Sequence, residues 1–275
     1  MPDPLLPGPL WLVGCGNMGS AMLDGWMLSG VDPAHVSVVR PSGRAVGHGV
    51  RVLSDFPEDE VPAIAVLAMK PYQLDAVAPG LAPILDPETL LVSILAGVEL
   101  ASLRARFAAP RNIVRAMPNL PARIGKGVVG LYGEGGDAVA HNIVSGLMAA
   151  LGHAAWFDEE RVFNLVTALA GSGPAFTMRF VDALAKAGET LGFSRAQALD
   201  LAARTGEGAA ALMLAEGTDP ETLARQVTSR GGTTEAGLDV LDADGALDRL
   251  LAETLEAARR RSLEMAAAAR EGPSD

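Results

Sequence analysis

The chain is poor in the residues that mark several large function classes. Cys15 is its single cysteine, which excludes an internal disulfide framework and any cysteine-rich metal site. Aromatic side chains make up 4%, so a core has to be built mainly from Ala, Val, Leu and Met. Lysine occurs only at Lys70, Lys126 and Lys186, and Lys plus Arg total 22 against 33 Asp plus Glu, a net charge of −11. No basic surface dominates that would replace counterions along phosphate, so nucleic acid is not an expected partner. A local basic cluster on an acidic protein can still hold a small anion. The first 39 residues carry no Lys or Arg, so a secretory leader with a basic start is not expected. Ala138 to Phe157 and Val162 to Met178 are uncharged, but His141, Asn142, Ser145 and His153 interrupt one and Gly171 to Pro174 break the other. Neither is an apolar span of about 20 residues. No membrane, no metal and a cytoplasmic location are the expectations.

What the chain has is apolar material in a readable order. Its 275 residues are 49% hydrophobic, enough for a packed core and, at about 150 residues per domain, for one large or two modest domains. The first two-thirds alternate short apolar runs with helical patterns, as in βαβ units around a parallel sheet. Leu10–Val13, Val36–Val39, Ile64–Ala68, Leu90–Ile94 and Asn112–Arg115 read as strands. Gly127–Leu131 and Ala154–Phe157 read as shorter ones around a helix near 137–150. After Asp158 long Ala/Leu segments take over. Phe176, Phe180, Leu184 and Leu191 recur at near-helical spacing with Gly192 as the stop, and 196–214 and 247–269 are further helices. The fold class is therefore α/β, with a mostly parallel, doubly wound sheet in residues 1–158 and an all-helical part in 159–275. So much apolar helix predicts a dimer through that second part.

Gly14-Cys15-Gly16-Asn17-Met18-Gly19 directly follows the first strand and opens a helix. In such a G-x-G-x-x-G the glycines serve a tight turn, close backbone approach to a pyrophosphate, and close helix–strand packing. The helix N-terminus adds free amides and a positive dipole end. Three glycines can also be merely a turn, but the strand–loop–helix context favours a Rossmann dinucleotide site. Cys15 occupies a variable slot and reads as a small filler. An NAD reader usually has Asp or Glu at the end of the second strand; here stand Arg40-Pro41-Ser42-Gly43-Arg44. Two guanidiniums and a hydroxyl suit a 2′-phosphate, against the alternative of a solvated basic turn. NADPH is the expected cofactor, with NADH weaker.

Four further segments complete a pattern: Met69-Lys70-Pro71; Ile113 to Pro121 (Ile-Val-Arg-Ala-Met-Pro-Asn-Leu-Pro); Ala170 to Phe176 (Ala-Gly-Ser-Gly-Pro-Ala-Phe); and Ser229 to Leu238 (Ser-Arg-Gly-Gly-Thr-Thr-Glu-Ala-Gly-Leu). With the glycine loop, in order and spacing from residue 10 to about 260, they resemble the pyrroline-5-carboxylate reductase family. The resemblance implies a Rossmann domain, then a helical domain that interlocks in a homodimer, often assembled into decamers. It implies reduction of the ring C=N of 1-pyrroline-5-carboxylate by NAD(P)H to L-proline, the last step of proline biosynthesis, with no metal. It further implies that Gly14 to Gly19, Ser42, Ala68 to Pro71, and Leu95, Ala96 and Gly97 contact the cofactor, with Met117 and Asn119 near the nicotinamide. Glu160, Gln226, Ser229, Gly232, Thr233 and Thr234 would line the substrate site. Arg230 stands where the family usually has a turn-stiffening Pro. Arg51 replaces a cofactor-contacting Asn, either reinforcing the 2′-phosphate site or solvated. The extension from Met1 to Pro9 is expected to be disordered.

The residues themselves set the chemistry. The Gly231-Gly232 turn lies where a helix can begin, and Glu235 would suit its first turn. Turn amides and the hydroxyls of Ser229 and Thr233 can hold a carboxylate, unless the segment is an ordinary Thr-capped helix start. His35, His48, His141 and His153 fall in no matched motif and read as surface or packing residues, and Lys70 reads as a nucleotide contact. Thr234 remains as the neutral hydroxyl for the ring nitrogen, the expected catalytic residue. Two rivals stand. A β-hydroxyacid dehydrogenase would need a Lys soon after Gly171-Ser172-Gly173, where none occurs before Lys186. A catalytically silent NADP-binding dimer would not need Ser229 or Thr234.

Overall fold

The computed structural model describes residues 6–134 and 137–271. Eight strands form one sheet: β1 (Leu10–Val13), β2 (Val36–Val39), β3 (Arg51–Leu53), β4 (Ile64–Leu67), β5 (Leu90–Ser93), β6 (Asn112–Met117), β7 (Gly127–Gly133) and β8 (Gly152–Trp156). Their order is β3-β2-β1-β4-β5-β6-β7-β8. The first six are mutually parallel, β7 runs antiparallel to β6, and β8 is parallel to β7. Helices α1 (Asn17–Leu28), α2 (Leu74–Leu81), α3 (Leu100–Arg106) and α4 (Ala138–Ala149) cover the sheet.

Continuous apolar strands need cover on both faces, and the packing supplies it. Leu10, Leu12, Val36, Val38, Ile64 and Val66 face Met22, Leu23 and Trp26 of α1 and Val144, Leu147 and Met148 of α4. Their neighbours Trp11, Val13, Ala65, Leu67 and Leu91 face Leu74, Ala78 and Leu81 of α2 and Leu100 and Leu103 of α3. The sheet is doubly wound, as its strand order predicts. The expected strands are all present, with β6 running two residues past Arg115. β3, a three-residue edge strand, was not expected. Of the Met1–Pro9 extension, residues 1–5 lie outside the described residues. Leu6 departs from the expected disorder: it is buried in the first core cluster, because an apolar side chain there covers strand residues that would otherwise meet water.

After β8 follow α5 (Phe163–Val166), a π-helical turn at Thr167–Gly171, α6 (Gly173–Thr190), α7 (Arg195–Glu216), α8 (Pro220–Gln226), α9 (Thr233–Leu241) and α10 (Ala246–Glu271). By packing, one compact unit runs up to Ser172 and resumes at Ala258; the other is Gly173–Ala257. The segment from 159 to 172 therefore packs with the sheet, where Phe163 and Val166 share a cluster with Met117. In the second unit α6 and α7 form an antiparallel pair over Ala185, Ala198 and Ala202. Gly192, with φ +115°, makes the turn after α6, and Ser194 with Gln197 forms a capping box on α7. Many of its larger apolar side chains, among them Phe180, Leu191, Phe193 and Leu214, are exposed in the single chain. Among the described residues no helix is long and apolar enough to cross a membrane.

Candidate functional site

Five segments named by the sequence converge on one edge of the sheet. Because β1, β2, β4, β5 and β6 are parallel, the residues following each emerge on the same side. These are Gly14–Gly19, Arg40–Arg44, Ala68–Pro71, Leu95–Gly97 and Met117–Asn119. Strand order reverses beside β1, the position where open α/β sheets bind ligands beyond their carboxyl ends.

The glycine loop has the geometry that a dinucleotide requires. Gly14 adopts φ +85°, and a Cβ there would lie 2.7 Å from the Met69 amide nitrogen, so both turn and packing demand glycine. A Cβ on Gly16 would meet no atom within 4 Å, which leaves open space beside the loop for a ligand's close approach. A Cβ on Gly19 would sit 3.3 Å from the Gly14 carbonyl and 3.4 Å from the Ala68 side chain, the tight helix–strand contact. Gly16 is the N-cap of α1 and no side chain caps that helix, so its first amides are available to phosphate oxygens. Cys15 Sγ lies 3.3 Å from Ser20 Oγ, consistent with a filler.

At the end of β2, the Arg40 amide is tied to the Leu53 carbonyl (2.8 Å) and the Arg44 amide to Ser42 Oγ (3.4 Å). Among the described residues neither guanidinium has an anionic partner. Arg51 is different. Its Nη1 pairs with Glu60 Oε2 at 2.8 Å, and Glu60 also accepts from the Trp11 indole at 2.7 Å. That Trp11 bond, with Arg51, holds the Glu60 carboxyl below the usual range. Arg51 thus lies in an ion pair with Glu60 while its side chain stays half exposed.

Asn119 is 4% exposed and both ends of its amide are engaged. Nδ2 donates to the Ala170 carbonyl (2.9 Å) and Oδ1 accepts from the Val128 amide (2.9 Å). It fastens the end of β6 to β7 and to the π-helical turn, a form of helix common at functional sites. Met117 is buried with Phe163 and Val166. Lys70 is exposed at the start of a short Pro71–Gln73 turn. Glu160 lies in the sheet-bearing unit, where Oε1 accepts from Arg115 Nη1 and the Leu100 amide, both at 2.7 Å. Sequence reasoning passed over Arg115. The signal was present: a charge in the middle of a strand otherwise buried needs a partner.

The second unit carries Gln226, Ser229, Gly232, Thr233 and Thr234. Ser229 to Gly232 is a turn closed by the Gly232 amide on the Ser229 carbonyl (2.9 Å), with Gly231 at φ +71°. Arg230 occupies the place where proline favours such a turn, and the turn forms without it. The Gly231 amide donates to Glu235 Oε2 at 2.6 Å. Both glycine amides are therefore occupied, and among the described residues the first amides of α9, those of Thr233, Thr234 and Glu235, have no hydrogen-bond partner. Gly232 is the N-cap of α9 and Glu235 lies in its first turn, as expected. Gln226, Ser229, Thr233 and Thr234 are exposed in the single chain, and no side-chain hydrogen bond occupies either threonine hydroxyl among the described residues. Of the histidines, His48 pairs with Asp24 at 2.8 Å and His141 stacks on Trp156 with ring centroids 4.0 Å apart.

A family model described as pyrroline-5-carboxylate reductase dimerisation matches residues 160–265, and one described as NADP oxidoreductase, coenzyme F420-dependent, matches residues 10–97. The pyrroline-5-carboxylate reductase of Pseudomonas aeruginosa is 38% identical over 92% of this chain and 95% of its own. The chain belongs to the pyrroline-5-carboxylate reductase family. The enzyme of that name from Pisum sativum is 36% identical over 91% of this chain and 94% of its own. Among solved structures, a Coxiella burnetii pyrroline-5-carboxylate reductase is 31% identical with TM-score 0.85, covering 94% of this chain and 98% of its own. A Plasmodium falciparum pyrroline carboxylate reductase, solved with NADP bound, is 25% identical with TM-score 0.83 over the same shares.

Proposed function

We propose that the chain is an NAD(P)H-dependent oxidoreductase that reduces the C=N bond of 1-pyrroline-5-carboxylate to give L-proline, the final step of proline biosynthesis. One observation carries this reading: the dimerisation match spans Ser229–Leu238, in a chain whose glycine loop has the turn, the open space and the uncapped helix a dinucleotide needs. Bound at the sheet edge, NAD(P)H supplies a hydride to the imine carbon. The chain's own residues bind and orient. Amides at the start of α1 meet the phosphates, and Arg40, Ser42 and Arg44 hold a 2′-phosphate, which makes NADPH the preferred form. In the second unit the Thr233 and Thr234 amides and the Ser229 hydroxyl hold the substrate carboxylate, with Gln226 beside them. The Thr234 hydroxyl donates a hydrogen bond to the ring nitrogen and polarises the C=N bond; as the hydride pair forms the new C–H bond, the π pair moves onto nitrogen, which gains its proton from solvent through that hydroxyl.

The active form in this reading is a homodimer through the Gly173–Ala257 unit, supported by the exposed apolar side chains of its helices, with assembly of dimers into a decamer as the further step. A cytoplasmic location accompanies it. The test is NADPH oxidation with 1-pyrroline-5-carboxylate, with the product identified as proline. A protein that binds NADPH but forms no proline would instead be a silent cofactor-binding dimer, and the reading would fall.

A further inference from the structure

Arg115 sits in β6 among the buried residues Ile113 to Met117, and is itself 5% exposed. A guanidinium there must be neutralised. Glu160 Oε1 does so at 2.7 Å, and the guanidinium carbon lies 4.7 Å from the Phe163 ring centroid, in cation–π range. The same oxygen does a second job. It accepts at 2.7 Å from the amide of Leu100, the first residue of α3 and 60 positions away in the chain. The N-cap residue of α3, Glu99, makes no side-chain capping bond, so Glu160 supplies the cap from across the unit.

Just before that capped amide lies one of the cofactor-edge segments. Leu95 to Val98 is a turn closed by the Val98 amide on the Leu95 carbonyl (3.3 Å), with Gly97 at φ +78°. A Cβ on Gly97 would lie 3.0 Å from the Ala266 nitrogen and 3.1 Å from the Met265 carbonyl, so the backbone of α10 presses on the turn. Ser262 of α10 donates to Asn164 Oδ1 at 2.8 Å, in α5 beside Phe163. The turn is thus held by its own hydrogen bond, by α10 against Gly97, and by Glu160 at Leu100.

We infer that Glu160 is a positioning residue for the cofactor and not a substrate ligand: with Arg115 it fixes the start of α3 and, through it, the Leu95–Gly97 turn. A carboxylate already spending one oxygen on two donors, with its charge balanced by a buried guanidinium, offers little to a cationic imine. This inference rests on the reading of Leu95–Gly97 as a cofactor contact.

The experiment measures NADPH dissociation constants by calorimetry, separately from KM and kcat for 1-pyrroline-5-carboxylate at saturating NADPH. Glu160→Ala is expected to weaken NADPH about tenfold, the order of a lost helix cap, while KM for the imine stays within about twofold. Glu160→Gln keeps a neutral acceptor for both Leu100 and Arg115 and, once circular dichroism shows it folded despite the lost counter-charge, should stay within about threefold of the parent in both quantities. Should Glu160→Ala fail to fold, the double variant Arg115→Met with Glu160→Met leaves no unpaired buried charge and should show the same selective loss of NADPH affinity. A tenfold rise in imine KM in Glu160→Gln with NADPH binding unchanged would make Glu160 a substrate ligand and overturn the inference. Unaltered NADPH binding in Glu160→Ala and in the double Met variant would overturn it too. The calorimetric readout does not depend on turnover, so a failure of the reductase reading would show separately, as absence of proline from the unmodified protein.

Discussion

Arg40 and Arg44 follow β2 with no carboxylate partner among the described residues, whereas Arg51, eleven positions on from Arg40, pairs with Glu60. The first two have their charge uncompensated for a bound anion. Arg40→Asp should therefore weaken NADPH by about 1–3 kcal/mol, the range of a charge-assisted hydrogen bond, and leave NADH little changed. Equal use of both cofactors by the parent, unmoved by this substitution, would count against a 2′-phosphate site. Thr234 and Ser229 separate in a similar way. Thr234→Ala removes the hydroxyl and keeps the amide, so kcat should fall about 10²–10³-fold with a smaller effect on KM. Ser229→Ala should raise KM more than it lowers kcat. Near-normal turnover by Thr234→Ala would leave the ring nitrogen to a bound water or to an iminium already protonated in solution.

Among the elements, α1 gives the sharpest stability test. Alanine in a helix interior is ordinarily better than glycine by about 1 kcal/mol. At Gly25, however, a Cβ would lie 2.3 Å from the Ala122 carbonyl and 2.8 Å from Leu151 Cδ2. Backbone cannot give way as a flexible side chain can, so overpacking at about 1–3 kcal/mol wins. Gly25→Ala is expected to lower Tm, and an unchanged or raised Tm would show that α1 can shift freely. The α6–α7 pair makes a different prediction. Hydrogen bonds from Lys186 and then Arg195 hold the Asp182 carboxyl at about 2 against an ordinary 3.8. A depressed folded value contributes stability above the unfolded one, lost as pH falls from near 4 through about 2. Asp182→Asn should thus move acid melting of helical circular dichroism to higher pH, and the difference should shrink in high salt.

The legible elements were those whose residues say one thing locally. β1, the glycine loop and α1 follow from an apolar run, three spaced glycines and a helical pattern. The start of α9 follows from a Gly-Gly turn before Thr233. β3 was illegible because three half-exposed residues beginning with Arg51 carry no strand period. The antiparallel direction of β7 lies in the path of the chain rather than in its residues. The meeting of five segments at one sheet edge was readable because each follows a recognisable strand. The clamps were not, because Asn119 on Ala170 and Glu160 on Leu100 join residues 51 and 60 positions apart, and no local pattern reports such a pairing.

For the whole molecule, the exposed Phe180, Leu184, Leu191, Phe193 and Leu214 predict that light scattering at micromolar concentration finds at least a dimer, since so large an apolar surface is seldom left in water. An active, folded monomer would refute this.

Gly97 also bears on how the protein is made. The backbone that presses on it belongs to Met265 and Ala266, after the chain has left the sheet-bearing unit at Ser172 and come back at Ala258. On the ribosome, β1 to β8 emerge long before those residues do. The nascent sheet must wait through the synthesis of all of Gly173–Ala257 with this turn uncovered. Stalled nascent chains ending near residue 250 should then be cleaved by protease at Leu95–Val98, and chains that also expose residues 258–271 should resist.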